Sequence, residues 1–170
     1  MSEFWVFGYG SLMWKPGFAH VETQLGRLSG YRRSLCVRSF VHRGTEQRPG
    51  LVLGLDRGGS CLGLGFRVPD GLKDEVIAYL RARELVTNVY VERILPVRLA
   101  NGERVAALTY VVDRKHVQYA GDLDVDTAVA QVSGAVGVSG RNEDYVLSTL
   151  EHLRGLGIRD SWLEAVAARL

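Results

Sequence analysis

The stretch Phe4-Trp5-Val6-Phe7-Gly8-Tyr9-Gly10-Ser11-Leu12-Met13-Trp14 constrains this chain more than any other. Its first four residues are aromatic or β-branched, which suits a strand covered on both faces. The run then breaks into Gly-x-Gly-Ser, and a buried strand that stops on two glycines exposes its backbone. Gly8 and Gly10 permit positive φ and remove the side chains that would block close approach of a ligand. Amide N–H groups in such a turn can hold a carboxylate or a developing oxyanion. From the turn alone two readings stand side by side: a cradle for a small anion or substrate, and a plain tight turn closing a core strand.

Better-known glycine loops do not fit. Lys15 follows Ser11 by four residues and precedes Pro16, so the Gly-Lys-Ser/Thr ending of a phosphate-binding loop is missing. Trp14 stands near where a dinucleotide fingerprint needs its third glycine. A nucleophile elbow around Ser11 would need glycines at Tyr9 and Met13.

With 170 residues, 46% of them hydrophobic, the chain suits a single domain over 1–170 with a full core. A net charge of +2 with scattered basic residues gives no argument for a nucleic-acid partner. Cys36 and Cys61 lie in apolar strand-like contexts without metal or redox spacing, so buried reduced thiols and a cytoplasmic location are expected. Glu3 stands where a secretory leader would be basic, and no apolar run reaches the roughly 18 residues of a membrane span, so no membrane association is expected.

Strand patterns fill the first two thirds of the chain, near 4–9, 24–37, 50–56, 61–68, 91–100 and 104–112. Turns are predicted at Arg48-Pro49-Gly50, Arg57-Gly58-Gly59 and Asn101-Gly102-Glu103, the last being the clearest hairpin signal. Gly54, Gly63 and Gly65 inside strand patterns suggest the bending of a small barrel. Helices follow: one capped by Asn142 and running to about Leu156, one capped by Asp160, and one starting at Asp126 over 126–136. The class is α+β.

One helix is set among the strands, in Pro69 to Leu85. Leu72, Val76 and Leu80 recur every four residues as its core-facing stripe, and the next member of that series is Glu84. A carboxylate thus points inward, whereas Glu75, nine residues back, falls on the opposite side of the helix and faces solvent. Glu84 has two readings. It either swings to the rim and pairs with Arg81, Arg83 or Arg93, or it sits in a partly desolvated cleft where loss of hydration raises its pKa and makes it a usable proton acceptor.

The turn-rich segment from Arg38 to Gly50 could fold over a pocket as a lid. His20, His42, His116 and His152 lack zinc spacing, and no metal site is expected. No local arrangement supports Cys36 or Ser11 as a nucleophile, and Tyr119 is left unassigned.

Val6 to Phe18, His42-Arg43-Gly44-Thr45, Arg48 to Asp56, Tyr79-Leu80, Arg83-Glu84, Tyr119-Ala120-Gly121 and Gly140-Arg141-Asn142 together resemble the ChaC family of γ-glutamylcyclotransferases, in order and over almost the whole chain. The Gly-Tyr-Gly-Ser-Leu turn is shared by the wider γ-glutamylcyclotransferase-like group, and the His-Arg-Gly and Arg-Glu combination is what points to ChaC proteins. The resemblance implies a small mixed β-barrel flanked by helices. It also implies an enzyme that converts the small-molecule substrate glutathione to 5-oxoproline and Cys-Gly without cofactor or metal. Carried onto this sequence, it makes Glu84 the catalytic acid/base and Gly8, Tyr9, Gly10, Ser11, Leu12 and Met13 the loop that binds the γ-glutamyl group. Met13 replaces an expected isoleucine, and the segments 38–41 and 85–90 are less typical. Another γ-glutamyl peptide or amine as substrate stays open, as does a non-catalytic module that binds γ-glutamyl groups or small carboxylates.

Overall fold

The computed structural model describes residues 3–170. It contains a closed barrel of five strands in the order β1-β3-β2-β4-β5, a two-stranded β6-β7 ribbon and four α-helices. The strands are β1 Phe4–Gly8, β2 Glu22–Ser39, β3 Gly50–Val68, β4 Tyr90–Leu99, β5 Arg104–Val112, β6 Val136–Gly137 and β7 Gly140–Arg141. The helices are α1 Lys73–Glu84, α2 Val125–Val132, α3 Asn142–Gly155 and α4 Ser161–Ala167. The residues group into two compact units. One comprises the chain up to Arg33 with Leu55–Asp113, and the other comprises Ser34–Gly54 with Arg114–Leu170.

In the first unit the aromatic run of β1 lies between two partners. It pairs antiparallel with β3, from Phe4 with Val68 to Gly8 with Leu64. It also pairs parallel with β5, Trp5 with Ala107 and Val6 with Leu108. This gives the barrel its mixed character. Trp5, Val6 and Phe7 are all buried, so both faces of the strand are covered, which suits its unbroken apolar run. The hairpin expected at Asn101-Gly102 is present, joining β4 and β5 in register from Tyr90 with Val112 to Arg98 with Arg104.

Two stretches read as separate strands, 50–56 and 61–68, are one strand, β3. The turn expected at Arg57-Gly58-Gly59 does not end it. Gly58 at φ 105° and Gly59 at φ 63° take up the bend, and the chain stays in the ladder. Gly63 answers a different need: a methyl group there would run into the Gly8 carbonyl and stand 2.8 Å from the Phe7 ring.

In the second unit α4 packs on both α2 and α3. Leu150 and Leu153 of α3, Val132 of α2 and Leu163 and Val166 of α4 are buried. Asp160 caps α4 as expected, its carboxylate accepting from Leu163 N–H. Helix α2 is capped by Asp124, which accepts from Thr127 N–H, so the expected start at Asp126 is one residue inside it. Asn142 does not cap α3. Arg141 occupies that position, and the Asn142 side chain, wholly buried, accepts from Leu51 N–H and donates to Leu51 C=O. The reason is burial: two backbone groups in the interior need partners, and a carboxamide supplies both.

Candidate active site

Every residue singled out for the site, the turn and Glu84 alike, lies in the first unit. After β1 the chain enters a single 3-10 turn over Ser11–Met13. Gly10 precedes it at φ −138° and ψ −129°, and neither Gly8 nor Gly10 uses the positive φ that glycine permits. Gly8 serves the tightness of the turn: a Cβ there would come 3.1 Å from that of Leu12. Within the turn Met13 N–H donates to Gly10 C=O at 2.9 Å. Ser11 and Leu12 N–H precede it and open the turn, so no carbonyl of the turn lies behind them to accept.

The turn is fixed from outside as well. Arg33, only 6% exposed, donates through Nε to Tyr9 C=O at 2.7 Å and through Nη2 to Leu62 C=O at 2.7 Å. Thr109 Oγ1 donates to Phe7 C=O at 3.1 Å. Of the six predicted loop residues, Gly8, Tyr9, Gly10, Leu12 and Met13 are buried and Ser11 is exposed. The side chains of Leu12 and Met13 point into the core, so what these positions can offer a ligand is backbone.

Glu84 is the last residue of α1. Val76 and Leu80 are buried, Leu72 is half-buried and Glu75 is exposed, as the four-residue series requires. The Glu84 side chain is 18% exposed, and Arg83 Nε stands 3.6 Å from its Oε1. Burial pushes the Glu84 carboxyl above its ordinary range, and the Arg83 charge pulls it partly back. A carboxylate held this way accepts a proton more readily than a solvated one. On β5 nearby, Tyr110 is buried and donates to Glu92 Oε2 at 2.9 Å. Its phenol is pushed above its ordinary value by burial first, then by that bond and by the charges of Glu92 and Glu84. Arg81, one of the rim partners considered for Glu84, binds Glu92 through both Nε and Nη2.

Arg33, Arg83 and Tyr110 are the site neighbours that sequence reasoning did not assign. Arg33 and Tyr110 sit in strand patterns that signal nothing of their partners, and Arg83 was visible as a rim cation and as part of the Arg-Glu pair of the family resemblance, without a role of its own.

The Arg38 to Gly50 segment, expected as a lid, is fastened within the second unit. Ser39 Oγ accepts from Arg43 N–H, Thr45 Oγ1 accepts from Arg48 N–H, and the Arg48 guanidinium donates to Ala130 and Ser133 carbonyls. Tyr119 bridges to Val37, and its carbonyl accepts from Arg38. Among the described residues no group of three His, Cys, Asp or Glu is placed to hold a metal ion, and no helix is long and apolar enough to cross a membrane.

Residues 4–170 match the family described as ChaC-like protein. The glutathione-specific gamma-glutamylcyclotransferase of Escherichia coli (strain K12) is 33% identical over 159 residues, which cover 94% of this chain and 69% of that one. The glutathione-specific gamma-glutamylcyclotransferase 1 of Homo sapiens is 30% identical over 168 residues, covering 95% and 76%. In fold, the chain is similar to the crystal structure of a gamma-glutamyl cyclotransferase specific to glutathione from yeast, with a TM-score of 0.85 at 22% identity over 99% of this chain and 97% of that one.

Proposed function

This chain belongs to the ChaC-like family, and we propose that it is a γ-glutamylcyclotransferase acting on glutathione, with Glu84 as general acid/base and the Gly8 to Met13 turn as the γ-glutamyl site. The observation that carries this reading is the withdrawal of Glu84 from water at the end of α1, in the same unit as a turn whose first amides, of Ser11 and Leu12, have no backbone acceptor among the described residues. The relatives from Escherichia coli and Homo sapiens, named for this activity on glutathione, support the substrate.

The reaction is an intramolecular aminolysis. Glu84 takes a proton from the substrate's α-amino group as its nitrogen attacks the γ-carbonyl carbon, closing a five-membered ring. The carbonyl oxygen becomes an oxyanion, held by backbone N–H groups at the start of the turn, each such donor being worth about 3 kcal/mol in the transition state. The tetrahedral carbon then expels the cysteinyl nitrogen, which receives the proton from Glu84. The C–N bond to Cys-Gly breaks and the ring C–N bond is kept, so 5-oxoproline and Cys-Gly leave without uptake of water. Holding the substrate folded removes entropy that a flexible chain would otherwise oppose. No protein nucleophile is needed, in keeping with Ser11 being engaged by Arg83 and Cys36 and Cys61 being buried.

Incubation with glutathione and a panel of other γ-glutamyl peptides and amines, with 5-oxoproline measured by mass spectrometry, tests reaction and specificity together. Product from glutathione with wild type and none above background with a folded Glu84→Gln is the expected result. Unchanged turnover in Glu84→Gln removes Glu84 from the mechanism, and glutathione binding without product leaves only a binding module.

A further inference from the structure

Arg83 divides its guanidinium among partners on two elements. Nη2 donates to Ser11 Oγ at 3.0 Å. Nη1 donates to Lys15 C=O at 2.5 Å, to Pro16 C=O at 3.2 Å and to the Tyr79 hydroxyl at 3.2 Å. Nε stands 3.6 Å from Glu84 Oε1. An exposed ion pair alone would contribute little, but one of these partners, Ser11, belongs to the turn, two, Lys15 and Pro16, to the segment that follows it, and two to α1. A planar guanidinium can satisfy such a set at once because its donors are fixed in one fork, which an ammonium cannot reproduce.

We propose that Arg83 is a positioning residue whose guanidinium fastens the Ser11 to Pro16 segment to the C-terminal end of α1, so that the amides of the turn and the Glu84 carboxylate keep one geometry. The proposal rests on the reading of Glu84 and the turn given above, and adds to it the group that holds the two together. Arg83 acts through its neighbours and takes no part in bond making.

The same placement has an electrostatic consequence. The groups facing Glu84 are Arg83 on its own helix and, from β5, the neutral Tyr110, whose hydroxyl is bound to Glu92 of β4 with Arg81 behind it. Removing the Arg83 charge leaves the ionised carboxylate without its adjacent cation, and its titration midpoint should move to higher pH. A lysine keeps a cation but loses the fork.

The test combines kinetics on glutathione with carbon-13 NMR titration of the Glu84 carboxyl in wild type, Arg83→Met and Arg83→Lys. In Arg83→Met, kcat is expected to fall by at least about tenfold, as for other losses of positioning, with KM changed less. The NMR midpoint and the acid limb of the rate profile should both rise. In Arg83→Lys, kcat should fall while the midpoint stays nearer the wild-type value. A midpoint in Arg83→Met equal to wild type, or wild-type kcat in Arg83→Lys, overturns the proposal; if Arg83→Met does not fold, Arg83→Lys decides it. Wild-type turnover by Glu84→Gln would remove the underlying reading instead, and the titration midpoints report the hold of Arg83 on Glu84 whether or not the protein turns over.

Discussion

Burial disfavours the charged form of the Glu84 carboxyl, and the consequence can be measured without any substrate. Its pKa in the folded protein lies above the ordinary carboxylate value. The folded state therefore binds this proton more tightly than the unfolded chain, and stability falls as pH rises from the ordinary carboxylate range through the raised value. Below that range both states are protonated and the position is neutral. Glu84→Gln, which removes the charge and keeps the shape, is expected to melt above wild type at pH 7 and level with it in acid. Calorimetry across that range decides the matter, and a folded variant that melts below wild type at pH 7 contradicts it. The inward direction of this carboxylate is legible in sequence, because Leu72, Val76, Leu80 and Glu84 share one helical spacing. The reach of Arg83 to Ser11, Lys15 and Pro16 is not. Those partners lie 67 to 72 residues away along the chain, and a long flexible side chain finds them only after the fold has formed.

Among the elements, those with strong local signals match their expected positions. The aromatic β1, the Asn101-Gly102 hairpin and the Asp160-capped α4 each carry their instruction in a few neighbouring residues. Misreadings occur where a residue type has two uses. Gly58 and Gly59 look like a chain reversal but bend a continuous strand, and Asn142 looks like a helix cap but serves Leu51 of β3. The second case yields a stability prediction. Asn142→Ala strips both Leu51 backbone groups of their partner in a fully buried place and should destabilise the protein by about 2–4 kcal/mol. Urea unfolding would show this as a lowered midpoint at unchanged slope; a midpoint within error of wild type would mean that the two hydrogen bonds contribute nothing net.

For the molecule as a whole, residue patterns indicate a small bent sheet with helices, while the order of strands comes from pairings that no local pattern encodes. The parallel contact of Trp5 with Ala107 and Val6 with Leu108 joins residues about a hundred positions apart; Gly54, Gly63 and Gly65 suggest a small barrel, but its mixed pairing was expected only through the resemblance to ChaC proteins. The matched family spans residues 4–170, and the proposed reaction is a ring closure in which the substrate's own amine is the nucleophile. That choice of nucleophile is the claim to test, and glutathione turned over in water enriched in oxygen-18 tests it directly. The products should be 5-oxoproline and Cys-Gly in equal amounts, with no oxygen-18 in the 5-oxoproline. Glutamate carrying one oxygen-18 at its γ-carboxylate would mean that water attacks the γ-carbonyl, and the cyclisation mechanism would be wrong.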